Sequence, residues 1–155
     1  MKGDSFCPLP WVGYAIKNNG MMRICCHANQ GPTKGILLKN DGSPYTYKDD
    51  INEARNCNMI KEMRVDMLNN RWHPECVRCH REFRSGFANR NSYESDRWNE
   101  FISLETAKQL TKPDGSISIN DIPLRTFDLR FGNLCNLRCR MCFATDSSGC
   151  YNDFF

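Results

Sequence analysis

Two short apolar runs open the chain, WVGYAI over residues 11–16 and MMRICC over 21–26, separated by Asn18, Asn19 and Gly20. Asn and Gly tolerate the positive φ of tight turns, so the pattern predicts a β-hairpin carrying Cys25 and Cys26 near its end. Residues 28–50 are rich in Gly, Asn, Asp, Pro and Lys and read as loop, with a short strand over 35–38. From Ile51 to Asn69, Met59, Ile60, Met63, Met67 and Leu68 recur at three- and four-residue spacing, which predicts one amphipathic helix stopped at Asn69 and Asn70. Pro74 then breaks the pattern, and further helices are expected over 79–87 and 92–109. Residues 111–123, TKPDGSISINDIP, hold two Pro and a Gly among polar residues and read as a linker. LRTFDLRF, over 124–131, reads as a strand ended by Gly132 and Asn133. The expected fold class is α+β: a small cysteine-rich hairpin-plus-helices domain over 1–110, a linker over 111–123, and over 124–155 the truncated start of an α/β unit.

The unusual component is cysteine, with ten in 155 residues. The opening MKGDSFCPLPW has no apolar segment or small-residue cleavage site of a secretory signal, and no stretch is apolar for the roughly 18 residues of a membrane helix. A cytoplasmic location is therefore expected, where cysteines bind metal or do redox chemistry more often than they form disulfides. The net charge is only +3. Arg78, Arg81, Arg84, Arg90 and Arg97 gather in one stretch, but Glu82, Glu94 and Asp96 are mixed among them. A solvated helix face is the simplest reading, and nucleic-acid binding is not indicated.

The run CNLRCRMC places Cys135, Cys139 and Cys142 at Cys-x3-Cys-x2-Cys spacing. A loop of that spacing can turn three thiolates onto three irons of a 4Fe–4S cubane, leaving the fourth iron without a protein ligand. An iron left open in this way can bind a substrate or cosubstrate. A structural zinc site would want a fourth donor, for which Cys150 is available.

The segment FDLRFGNLCNLRCRMC resembles the first barrel strand and cluster loop of radical S-adenosylmethionine enzymes. The resemblance implies a partial TIM-type barrel and S-adenosylmethionine chelated at the open iron. It also implies reductive cleavage of that cosubstrate to a 5′-deoxyadenosyl radical, and hydrogen abstraction from a substrate. An electron donor such as a flavodoxin or ferredoxin is implied too. The substrate, a peptide or a small molecule, is not specified. The family usually has an adenine-contacting aromatic just before the third cysteine; Met141 stands there, a polarizable side chain that still packs on a ring.

Cys7, Cys25, Cys76 and Cys79 form a second set. Cys7 is followed by PLPW, then Gly20 and Cys25, and Cys76-x2-Cys79 comes later. Four thiolates suit either tetrahedral zinc or a fully ligated iron–sulfur cluster. Adjacent strand residues point to opposite faces, so only one of Cys25 and Cys26 should ligate, and the spacing from Gly20 favours Cys25. CPLPW, Gly20, Cys25, MLNN and CVRC together resemble the auxiliary-cluster domains called SPASM and twitch. With no cysteine between 80 and 134, the likeness is to the single-cluster twitch type. The resemblance implies an auxiliary 4Fe–4S cluster on these four cysteines.

Cys57 and Cys150 have no assigned role and read as buried or free thiols, and His27, His73 and His80 as structural or solvent-facing. Only 13 residues follow Cys142, whereas a full barrel runs about 250. The chain is thus expected to be the N-terminal piece of a longer enzyme, inactive by itself. The contrasting expectation is a non-catalytic zinc-binding interaction module.

Overall fold

A computed structural model describes residues 5–29 and 34–154. Residues 1–4 of the opening segment and 30–33 of the expected loop lie outside the described residues. The chain forms a small α+β unit with a three-stranded sheet. In chain order its elements are α1 (Leu9–Val12), β1 (Gly13–Ile16), β2 (Met22–Arg23), α2 (Ile51–Ala54), α3 (Asn58–Leu68), α4 (Val77–Arg84), α5 (Arg90–Trp98), α6 (Leu104–Leu110), β3 (Thr126–Leu129) and α7 (Tyr151–Phe154).

The hairpin is present but shorter than its apolar runs. Trp11 and Val12 belong to α1, because Pro8 and Pro10 have the φ that suits a first helical turn and no N–H to leave unpaired. β1 and β2 pair antiparallel, with Ala15 opposite Arg23 and Ile16 opposite Met22. Gly20 closes the turn at φ +83°, its N–H donating to the Lys17 carbonyl at 2.8 Å. Beyond Arg23 the chain leaves the ladder, so Cys25 and Cys26 lie in the turn that follows. The expected strand over 35–38 is reduced to isolated bridges, Arg23 with Ile36 and Leu38 with Pro44.

The helix expected over 51–69 is broken. Asp50 caps α2, its carboxylate accepting from the Asn52 N–H at 2.6 Å. The helix stops at Ala54, and α3 starts afresh after Cys57, which has extended backbone. The apolar stripe survives, with Ile60, Met63 and Met67 buried in the core. The break frees Arg55 and Asn56 for long-range bonds. Asn56 brackets the backbone of Ile117, donating to its carbonyl at 3.0 Å and accepting from its N–H at 3.1 Å. Arg55 donates to the carbonyls of Trp11 at 2.8 Å and Ile122 at 2.6 Å. The helix expected over 92–109 is likewise split into α5 and α6, the second capped by Ser103 on the Thr106 N–H at 3.1 Å.

Residues 111–123, expected as a linker, run mostly exposed but are anchored in the fold at Gly115, Ile117 and Ile122, which are buried. Ile117 and Ile122 are buried in the main core with Trp11, Ile60, Met63 and Ile102. The turn before Ile117 needs Gly115: φ is +83°, and a Cβ there would sit 2.2 Å from the Lys61 carbonyl oxygen. Polar composition hid this packing, because two well-placed isoleucines suffice when the surrounding carbonyls are satisfied by arginines.

The donor that gathers these pieces is Arg64 on α3, which is 0% exposed. Its Nε and Nη2 donate to Pro10 O at 2.9 and 2.7 Å, Nη2 also to Arg55 O at 2.7 Å, and Nη1 to Asn56 Oδ1 at 3.0 Å and Gly115 O at 3.1 Å. All five guanidinium hydrogens are thereby used. Burial and the neighbouring Arg55 push its pKa down to about 9, still above neutrality, so the group remains a cation held by carbonyl dipoles.

β3 expected over 124–131 is found as Thr126–Leu129 and adds parallel to β1, giving the order β2-β1-β3. The strand of the expected second unit thus completes the sheet of the first. Parallel pairing needs a long crossover, and here the crossover contains α2 to α6. Arg64→Met should lower unfolding free energy by at least about 3 kcal/mol, because several buried carbonyls lose their donor. Urea denaturation checks this. Lysine, a compact ammonium without the planar fork, should rescue only part of the loss.

Candidate metal centres

Cys7, Cys25, Cys76 and Cys79 line one cavity, together with Pro10, Ile24, Met63 and Met67. Each arrives on a different piece of local structure. Cys7 directly precedes the proline-started α1, and Cys25 follows β2. Cys76 ends a single tight helical turn over Pro74–Cys76, and Cys79 lies in the first turn of α4. His73 sets that turn, its Nδ1 accepting from the Glu75 N–H at 3.2 Å. The two halves of the cavity are tied at Asn29, whose N–H donates to Glu75 O at 3.1 Å and whose side chain donates to Pro74 O at 3.4 Å.

Burial raises all four thiol pKa values, Cys25 to about 11, and the thiols reinforce one another: Cys25, Cys76 and Cys79 each push Cys7 higher. Against this, backbone N–H groups point at three of the sulfurs. Leu9 serves Cys7, His27 and Ala28 serve Cys25, and Asn91 and Arg90 serve Cys79. N–H groups aimed at sulfur stabilise thiolate, and a metal ion would supply the positive charge that makes four neighbouring thiolates tolerable.

The geometry bears on which metal fits. Among the described residues, no three of these four sulfurs lie within 4.8 Å of one another. Tetrahedral zinc with 2.3 Å bonds holds its sulfurs about 3.8 Å apart, whereas a cubane carries each thiolate on a separate iron. The enclosed space is about 20 Å³, suited to one water-sized occupant. The four thiols suit a soft metal or a cluster by donor type, and the enclosed space would have to open to take a cubane.

Cys25 and Cys26 separate as strand alternation suggests, although both lie beyond the ladder. Cys25 faces the cavity, while the Cys26 sulfur accepts from Arg90 Nη1 at 2.8 Å and its thiol bonds the Asp128 carboxylate on β3. Arg90 also pairs with buried Glu94 at 3.0 Å. Arg90 was not legible as part of this centre, since its partner is 64 residues away. The three histidines differ. His73 caps a turn and His80 stacks on Trp72 at 4.9 Å. His27 lines the thiol cavity, and burial lowers its pKa.

Cys135, Cys139 and Cys142 follow the C-terminal end of β3 in an open loop, with Cys139 exposed and the other two part-exposed. The loop is held from behind by residues 147–149. Ser148 Oγ accepts from the Cys135 N–H and donates to its carbonyl, both at 3.1 Å, Gly149 N donates to the same carbonyl at 2.9 Å, and Ser147 Oγ donates to Leu137 O at 2.8 Å. A Cβ on Gly149 would lie 2.9 Å from Leu137 O, so a larger residue would push the loop away. Cys142 N donates to Cys139 O at 2.9 Å. The Cys142 thiol is raised chiefly by desolvation, then by the Cys139 and Cys150 thiols. Cys139 and buried Cys150 both lie within electrostatic reach of Cys142, but among the described residues the three motif sulfurs do not form a group within 4.8 Å. Met141 is 92% exposed at the loop tip.

Comparison with protein-family models, curated proteins and solved structures finds no match to this chain. Among the described residues no helix is long and apolar enough to cross a membrane. Cys25→Ser should remove most metal from the thiol cavity, whereas Cys26→Ser should leave metal content near that of the unaltered chain, since Cys26 is turned toward Arg90 and Asp128. Elemental analysis of the two variants checks this; equal losses would contradict it.

Proposed function

We propose that this chain is the cluster-binding portion of a radical S-adenosylmethionine enzyme. In this reading Cys135, Cys139 and Cys142 hold a 4Fe–4S cluster, and Cys7, Cys25, Cys76 and Cys79 hold an auxiliary one in a twitch-like domain. The observation that carries the reading is the Cys-x3-Cys-x2-Cys loop leaving the C-terminal end of a strand in parallel pairing, the end at which α/β folds place ligand sites. When bound, the first cluster supplies the electron that cleaves S-adenosylmethionine. The chain's own residues then have distinct tasks. Ser147, Ser148 and Gly149 hold the loop backbone so that three thiols can converge outward. Exposed Met141 would pack against a planar ligand. The auxiliary set, with four thiols, leaves no position for substrate and would serve electron transfer or support of the fold. An electron donor such as a flavodoxin or ferredoxin, and a substrate held by further barrel elements, belong to the same reading.

Anaerobic reconstitution followed by iron, sulfide and zinc analysis tests it. About eight irons are expected per chain, falling to about four when Cys135, Cys139 and Cys142 are all replaced by Ala. Electron paramagnetic resonance of the reduced chain should shift when S-adenosylmethionine is added, and the triple variant should show no shift. Zinc without sulfide, or a cluster whose spectrum ignores S-adenosylmethionine in the unaltered chain, would overturn the proposal.

A further inference from the structure

Beside the four-thiol cavity, one compact donor group remains unexplained. The ligand atoms of His27, Cys79 and Glu82 all lie within 4.8 Å of one another. Cys79 and Glu82 are three residues apart on α4 and so share a helix face. His27 enters from the turn after β2, which Asn29 pins to the backbone just before α4. The three donors are therefore held by two braced elements.

His27 carries a second, independent signal. Its Nδ1 is buried and has no hydrogen-bond partner. A buried polar nitrogen without a partner is unfavourable, and a ligand taken by that nitrogen would relieve it. The other two donors are already oriented from outside. Glu82 Oε1 accepts from Arg78 Nε at 3.0 Å, leaving its second oxygen for a ligand. The Cys79 sulfur receives the N–H groups of Arg90 and Asn91, which favour its thiolate. Such outer partners are what fix metal-binding side chains. Arg78 and Arg90 also bring positive charge toward the imidazole, offset by Glu82 and Glu94.

We propose that His27, Cys79 and Glu82 form a mononuclear zinc site, with water at the fourth position, in protein that carries no cluster at the four-thiol cavity. One nitrogen, one sulfur and one carboxylate oxygen suit zinc and do not suit Mg²⁺ or Ca²⁺, which take oxygen donors. Tetrahedral zinc places such donors about 3.3–3.8 Å apart, so modest side-chain rotation closes the group. Cys79 is common to this site and the four-thiol set. A thiolate committed to zinc is not free to be the terminal ligand of an iron, so the two occupancies exclude each other. Zinc binding by cluster-free protein does not depend on whether the cluster reading is right.

The test uses the full chain, prepared reduced and metal-free, and titrated with Zn²⁺ against a chromogenic chelator. One equivalent should bind, and Co²⁺ in its place should give tetrahedral d–d bands with charge-transfer intensity of a single thiolate. Glu82→Gln and His27→Gln should each weaken zinc at least about tenfold, while Cys7→Ser leaves zinc affinity unchanged. Glu82 is half-buried and Gln matches its shape, so Glu82→Gln keeps the packing of α4 and decides the matter even if His27→Gln unfolds. Loss of zinc binding in Cys7→Ser with no change in Glu82→Gln would place the ion among the four thiols and overturn the proposal. Failure of the unaltered chain to bind zinc would overturn it as well. Iron and sulfide content, measured separately, reports on the cluster reading and is independent of either result.

Discussion

A guanidinium buried without a carboxylate partner organises this molecule. Arg64 places all five donors on oxygens from Pro10, Arg55, Asn56 and Gly115. Those oxygens belong to the turn that follows Cys7, to the break between α2 and α3, and to the segment leading into β3. Removing a charge from water is costly, and the interior position is tolerable only because every hydrogen is used. That requirement explains the local irregularities. The helix must break where Arg55 and Asn56 turn toward Trp11, Ile117 and Ile122, and residue 115 must be Gly to bring its carbonyl within reach of α3. Arg55 extends the same logic to Trp11 and Ile122.

The bracing fixes the cysteine sites through backbone and not through side-chain contacts among the cysteines themselves. Pro10 is three residues from Cys7, and Arg64 lies on the helix whose Met63 and Met67 line the thiol cavity. On the sheet, β1 joins the hairpin to β3, so the element that leads to Cys25 and the element that leads to Cys135 share a neighbour. Cys26 strengthens this link by meeting both Arg90 and Asp128. A change of charge at the thiol cavity would be felt by Arg90, and through Cys26 by β3.

The apolar patterns were legible where they were short-range. The Gly20 turn, the Met63 and Met67 stripe and the strand through Phe127 follow from φ preference and side-chain period. The α2–α3 break was not legible, since the residues around Arg55 keep helical spacing and the reason to stop lies at Ile117 and Gly115. The burial of Gly115, Ile117 and Ile122 was hidden for the same reason: a polar, proline-bearing stretch reads as linker unless its carbonyls are known to meet buried donors. Of the candidate site, the gathering of Cys7, Cys25, Cys76 and Cys79 and the outward turn of Cys26 could be anticipated from spacing. The nearness of His27 to Glu82 could not, because one sits on a turn and the other on a helix 55 residues later.

By itself the sequence determined which groups have soft-metal chemistry and their order along the chain. Thiol identity and local spacing are covalent facts, the same in any fold. Tertiary structure alone decided which donors stand together and in what field. It joined Cys79 to both the thiol cavity and His27, set Ser148 and Gly149 behind the open loop, and placed β3 parallel to β1. Those outcomes depend on contacts between residues far apart in the chain, where burial and the satisfaction of buried carbonyls select one arrangement that no local pattern encodes.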